Sequence, residues 1–183
     1  MSYNVQPLRT QQEITDFLFC LRRNQHAERD VFLFLIGINS GLRMSDIVKL
    51  KKQDLLTVKN PRIVEQKTGK TRILYLGSLQ DLIQDYTKTL DLDDYLFPSS
   101  KGGHLKVNTV YQMFQKVAAL LGRDDIGTHT LRKTFGYHYY KKTKDVATLM
   151  EIFGHSSEKI TKRYIGINED EISETLLNFR LGF

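Results

Sequence analysis

The apolar residues of this 183-residue chain recur at helical spacing over most of its length, and the period changes only once, between Leu55 and Leu76. A helix buries a stripe that repeats every three to four residues, whereas a half-buried strand alternates, so this pattern dictates a mainly α chain with one small sheet inserted in it. Before the insertion, Thr10-Gln11-Gln12-Glu13 is a capping-box pattern, followed at helical spacing by Ile14, Phe17, Leu18 and Leu21. A second helix spans Glu28 to Ser40, carries the run Val31 to Ile36 and closes at Gly41. A short third helix covers Met44 to Leu50. Three strands are predicted, Leu55 to Val58, Arg62 to Gln66 and Thr71 to Leu76, separated by Lys59-Asn60-Pro61 and Lys67-Thr68-Gly69-Lys70.

Helical spacing resumes at Ser78 and runs to about Leu90, and a surface loop covers Asp91 to Lys106. Further helices are predicted around Val110 to Leu121, then over Leu131 to Lys141, Val146 to Ile152, Glu158 to Ile165 and Glu169 to Arg180. The expected fold class is therefore α+β, mainly α with a small three-stranded antiparallel sheet, in a single domain over 1–183. With 40% hydrophobic and 26% charged residues the composition is that of an ordinary globular chain. Its one cysteine, Cys20, supplies neither an internal disulfide nor a cysteine-built metal centre. The first residues lack a signal-peptide pattern and no long apolar run is present, so a cytoplasmic location without a membrane anchor is expected. The net charge of +6 is compatible with nucleic acid but is carried by many proteins that bind none.

Chemistry concentrates at four places. Gly41-Leu42-Arg43-Met44-Ser45-Asp46 puts an arginine where two helices meet, with an acid three residues on. The guanidinium fork suits a phosphate and Asp46 could hold that fork, although local Arg–Asp pairs of this kind are common on helix surfaces. Thr128-His129-Thr130-Leu131-Arg132 sets His129 and Arg132 at i and i+3, on one helical face. Gly154-His155 precedes Ser156-Ser157, so His155 falls in a turn between helices, where histidines are usually structural. Tyr164 follows nine residues later, in Lys162-Arg163-Tyr164-Ile165.

Taken in this order, Gly-Leu-Arg-x-x-Asp, Lys67 in the turn after a strand, His-x-Leu-Arg, Gly-His and the later tyrosine resemble the catalytic set of the tyrosine recombinases, the phage-integrase family. The resemblance covers about Leu8 to Asn168, and the wording from Thr128 to Gly136 is especially like integrases of Gram-positive phages and mobile elements. It implies a site-specific recombinase that breaks and rejoins DNA through a 3′-phosphotyrosine and exchanges strands through a Holliday junction. Tyr164 would be the nucleophile, Arg43, Arg132 and His155 would stabilise the phosphoryl charge, and His129 would be the general base. Lys67 is favoured as general acid over Lys70 in the same turn, and Asp46 has a supporting role.

Neither metal nor cofactor is implied. Lys70, Arg72, Lys133, Lys162 and Arg163 are expected to contact DNA phosphates. The implied partners are double-stranded DNA with recombination sites, a homotetramer and a DNA-bending accessory factor; the C-terminal helix bearing Ile172, Leu176 and Phe179 either docks on a neighbouring protomer or packs on its own core. The N-terminal core-binding domain usual in the family is expected to be absent, the chain being either a short invertase-like recombinase, which is the favoured reading, or a fragment of a longer protein. Two other readings are a type IB topoisomerase, which relaxes DNA without partner exchange, and a catalytically inactive DNA-binding regulator.

Overall fold

The computed structural model describes residues 5–56, 60–167 and 177. Helices α1 (Gln11–Leu21) and α2 (Ala27–Ser40) lead to two short helices, α3 (Met44–Ile47) and α4 (Gln53–Leu56). A hairpin of β1 (Arg62–Val64) and β2 (Thr71–Ile73) follows, then α5 (Gln80–Thr87), α6 (Val107–Leu120), α7 (Thr130–Thr143), α8 (Val146–Phe153) and α9 (Glu158–Ile165). The mainly α class with a small antiparallel sheet is as the periodicity dictates. The capping box is present at α1, where the Thr10 side chain accepts from the Glu13 amide and the Glu13 carboxylate accepts from the Thr10 amide.

The sheet differs from expectation. Among the described residues it has two strands, paired Arg62 with Ile73, Ile63 with Arg72 and Val64 with Thr71. Leu55 and Leu56 belong to α4 instead of a first strand. A run of a few apolar residues reads equally as strand or buried helix, and local bonds decide it here. The Asp54 carboxylate accepts the Lys51 amide at 2.8 Å, and the Asp54 and Leu55 amides donate to the carbonyls of Lys51 and Lys52. The expected C-terminal helix, with Ile172, Leu176 and Phe179, lies outside the described residues.

Two hydrophobic clusters organise the molecule. In the larger one, Phe17 of α1 stacks on Phe34 of α2, with centroids 4.9 Å apart, and meets Phe114 of α6 edge-on at 5.2 Å. The smaller gathers Tyr137, Leu149, Phe153, Ile165 and Ile167 from α7, α8 and the end of α9. Helix α7 joins the two, giving Leu131 to the first and Tyr137 to the second. Among the described residues no helix is long and apolar enough to cross a membrane.

Helix α7 can support α8 and α9 closely because residue 136 is glycine. A Cβ there would lie 2.5 Å from Ile165 Cγ2 and 2.8 Å from the Phe153 ring. Gly136→Ala is expected to lower stability by about 1–3 kcal/mol, measured by denaturant unfolding, because overpacking forces these helices apart. Cleavage should fall further than stability alone explains, since α9 carries Tyr164.

Candidate active site

Helix α2 ends at Gly41, whose φ of 61° is left-handed, a conformation glycine adopts without steric cost. A Cβ at this position would also sit 2.5 Å from Phe135. The carbonyl exposed by this corner accepts Arg132 Nη1 at 2.6 Å and Arg72 Nη1 at 3.2 Å. Arg132 Nη2 reaches the Phe153 carbonyl at the end of α8, 3.1 Å away, where the helix dipole favours a cation. Its guanidinium carbon lies 4.5 Å from the centre of the Phe153 ring. Burial pulls the Arg132 pKa down to about 10, with Tyr164 pulling it up and the Arg43 and Arg72 charges adding to the decrease. It therefore stays charged at neutral pH.

Arg43, beginning α3, is held by Glu65. Its Nη1 donates to Glu65 Oε2 at 2.7 Å, and the Thr68 hydroxyl donates to the same oxygen at 2.9 Å. Arg72 approaches the other carboxylate oxygen at 3.6 Å. Burial raises the Glu65 pKa, but the hydrogen bonds from Arg43 and Thr68 and the charges of Arg43 and Arg72 outweigh it, leaving the group below its ordinary value. Asp46, expected to hold the Arg43 fork, instead accepts the Gln66 amide at 3.0 Å. A short helix leads Asp46 inward from Arg43, so it pins the base of the hairpin turn. Glu65 and Gln66 together fix the turn from which Lys67 and Lys70 project, both exposed.

His129, immediately before α7, brings Nδ1 to 3.1 Å from the Tyr164 hydroxyl. Its pKa is lowered by partial burial first, then by the charges of Arg132, Lys133, Lys67 and Arg43. A neutral imidazole therefore faces the phenol at pH 7. Burial raises the Tyr164 pKa, with Arg132 and Arg43 opposing, so the phenol keeps its proton until a base takes it. The rings of His155 and Tyr164 lie 5.1 Å apart. Arg43, Arg132, His129, His155 and Tyr164 thus converge, and the charge of Lys67 also acts on His129. Among the described residues no group of three or more His, Cys, Asp or Glu is placed to hold a metal ion.

The model of the phage integrase family matches residues 9–171. The chain belongs to the phage integrase family. This family member is 46% identical over 169 residues to the protein named "Probable integrase/recombinase YoeC" of Bacillus subtilis (strain 168), covering 91% of this chain and 92% of that one. It is 29% identical over 157 residues to the tyrosine recombinase XerC of Bradyrhizobium diazoefficiens, covering 80% of this chain. The chain spans about half the length of the XerC and XerD relatives it matches, 48% and 51% in two cases. Among solved structures, the XerA recombinase superposes with a TM-score of 0.73 at 20% identity, over 100% of this chain and 66% of that one. A lambda integrase dimer bound to a core site gives 0.71 at 17% identity, over 92% and 62%. These two share the fold. By its family and relatives, this integrase-family chain is a tyrosine-type site-specific recombinase.

Two expected phosphate contacts are turned inward in this integrase-family structure. Arg72 is committed to the carbonyls of Ser40, at 2.6 Å, and Gly41. Lys133 is half-buried, with Nζ donating to the Val5 carbonyl at 2.6 Å and lying 5.3 Å from the centre of the Tyr164 ring. A cation at the base of a packed helix is drawn to backbone carbonyls when no solvent reaches it. Lys162 pairs with Glu158 along α9 at 3.2 Å, whereas Arg163 is exposed. Glu65 was missed because one acid in an alternating strand looks like any solvated position.

Replacing the buried Glu65 leaves two partly buried cations short of a partner, so Glu65→Ala should cost about 3 kcal/mol in denaturant unfolding. Because the folded pKa of Glu65 is below its ordinary 4.5, its contribution is complete above that pH and is lost as pH falls through the folded value. The stability gap between the parent and Glu65→Gln should accordingly shrink in acid.

Proposed function

We propose that Tyr164 attacks the scissile phosphodiester of duplex DNA and that the chain exchanges strands between two recombination sites. The observation that carries this reading is the 3.1 Å contact between His129 Nδ1 and the Tyr164 hydroxyl, set among arginines. The phenol oxygen bonds to phosphorus while its proton passes to His129 Nδ1. The bond from phosphorus to the 5′-oxygen breaks, and Lys67 protonates the departing oxygen. Arg43, Arg132 and His155 neutralise charge on the non-bridging oxygens in the pentacoordinate state.

One phosphodiester replaces another, so a 5′-hydroxyl from a partner duplex can reverse the step on a new strand through a Holliday junction, with Asp46 and Glu65 keeping the turn and Arg43 in place. Lys70, Lys162 and Arg163 track the DNA backbone. Four copies working on two sites by exchange of the C-terminal helix, aided by a DNA-bending factor on nucleoid DNA in the cytoplasm, complete the proposal. The chain acts as a catalytic domain. The relatives reported above are recombinases and integrases, which does not favour simple relaxation or an inactive regulator.

Nicked suicide duplexes carrying the chain's own site should trap a covalent adduct, and Tyr164→Phe should form none; an adduct from the Phe variant would move the nucleophile elsewhere. Arg43→Ala should retain DNA binding and lose cleavage by about 100- to 1000-fold, as expected for one lost donor to the transition state. The depressed His129 pKa places the acid limb of the cleavage rate below pH 6.5. The rate should hold on the neutral side and fall only once His129 is protonated, and His129→Gln should remove that limb.

A further inference from the structure

The segment that precedes α1 reaches the far end of the helix that carries Tyr164. Arg9 Nη2 donates to the Gly166 carbonyl at 3.0 Å, across 157 positions of sequence, and to Gln6 Oε1 at 3.3 Å. We infer that Arg9 is a positioning residue for cleavage, which ties down the end of α9 and so keeps the Tyr164 hydroxyl in place while it attacks. This inference rests on the recombinase reading above.

The direction of the bond is fixed by its chemistry, since a guanidinium only donates and a carbonyl only accepts, and Nη2 has one proton for each of its two oxygens. Arg9 is itself anchored on the larger cluster. Its neighbour Leu8 is fully buried there. The Leu8 amide donates to the Thr134 hydroxyl at 2.9 Å, the Leu8 carbonyl accepts His138 Nε2 at 2.9 Å, and the Arg9 amide donates to Glu13 Oε2 at 2.6 Å. The guanidinium carbon lies 5.1 Å from the centre of the Tyr137 ring. The other partner is fitted as closely: Gly166 closes α9 with a left-handed φ of 79°, and a Cβ there would lie 2.8 Å from Arg9 Nη2. Tyr164 is the penultimate residue of this eight-residue helix. Ile165 and Ile167 seat its end in the smaller cluster, but apolar contact has no direction and lets a short helix turn in place. The contact of Tyr164 with His129 is altered by the reaction, because the phenol proton moves. A charged donor at the helix end, where the dipole favours a cation, lies outside the reacting atoms and holds throughout.

Arg9→Ala should slow single-turnover cleavage of a suicide duplex about 10- to 100-fold, the order that a misplacement of about 1 Å can cost, with DNA affinity unchanged. Arg9→Lys, which keeps a charged donor for the Gly166 carbonyl, should recover most of the rate. In hydrogen exchange without DNA, Arg9→Ala should speed the Gly166 and Ile167 amides, which donate to the carbonyls of Arg163 and Lys162, and leave α2 as in the parent. Parental cleavage by Arg9→Ala, no recovery in Arg9→Lys, or exchange raised equally in α2 would overturn the inference; so would a rate lost in proportion to DNA affinity, which would make Arg9 a phosphate contact. Should Arg9→Ala not fold, the parent decides, because an Ile167 amide exchanging as fast as in an unstructured chain would show that nothing holds this end. Failure of the recombinase reading shows differently, as a parent protein that traps no adduct while exchange at Ile167 still depends on Arg9.

Discussion

Three guanidinium groups have to be brought together at one backbone corner without DNA to neutralise them, and the structure is arranged around that problem. Arg43, Arg72 and Arg132 feel one another's charge. Burying such cations is affordable only when their donors are filled. The carbonyls of Ser40, Gly41 and Phe153 and the carboxylate of Glu65 do this. The carbonyls are backbone atoms at the ends of α2 and α8, so they cannot swing away. Arginines anchored in this way meet a phosphate with little reorganisation, which is the condition under which electrostatic stabilisation is largest.

The same packing explains why the acid and the base differ in setting. His129 stands at the start of α7 and loses proton affinity first to partial burial and then to the charges of Arg132, Lys133 and Lys67. Tyr164 lies against Phe153 and His155 on the smaller cluster, and burial holds its proton on. A phenol that keeps its proton, facing a neutral imidazole, gives proton transfer between the two a direction.

Much of this was legible beforehand, for reasons particular to each residue. Arg43, His129, Arg132, His155 and Tyr164 lie next to helix ends that glycine, serine or threonine mark in the sequence, so local signals located them. Asp46 was visible, but its partner was not, because the Gln66 amide lies across the fold. Glu65 pairs with Arg43 over twenty-two positions, and Arg72 turns inward only because the hairpin lies over the end of α2; neither fact leaves a trace in spacing. Leu55 and Leu56 read as strand because a segment of four residues carries too few periods to separate strand from helix.

The division of the site between two hydrophobic clusters has a mechanical consequence. Arg43 and Arg72 are tied to Glu65 and the corner at Gly41, Tyr164 rides on α9 against the small cluster, and Arg132 bridges the two, bonded to the Gly41 carbonyl on one side and to the Phe153 carbonyl on the other. A slight tilt of that small cluster would carry the Tyr164 hydroxyl with it and pull on Arg132 through Phe153, while Arg43 stayed with Glu65. Arg132 is thus a joint between the two clusters, and a force applied to α9 is felt at the Gly41 corner through Phe153.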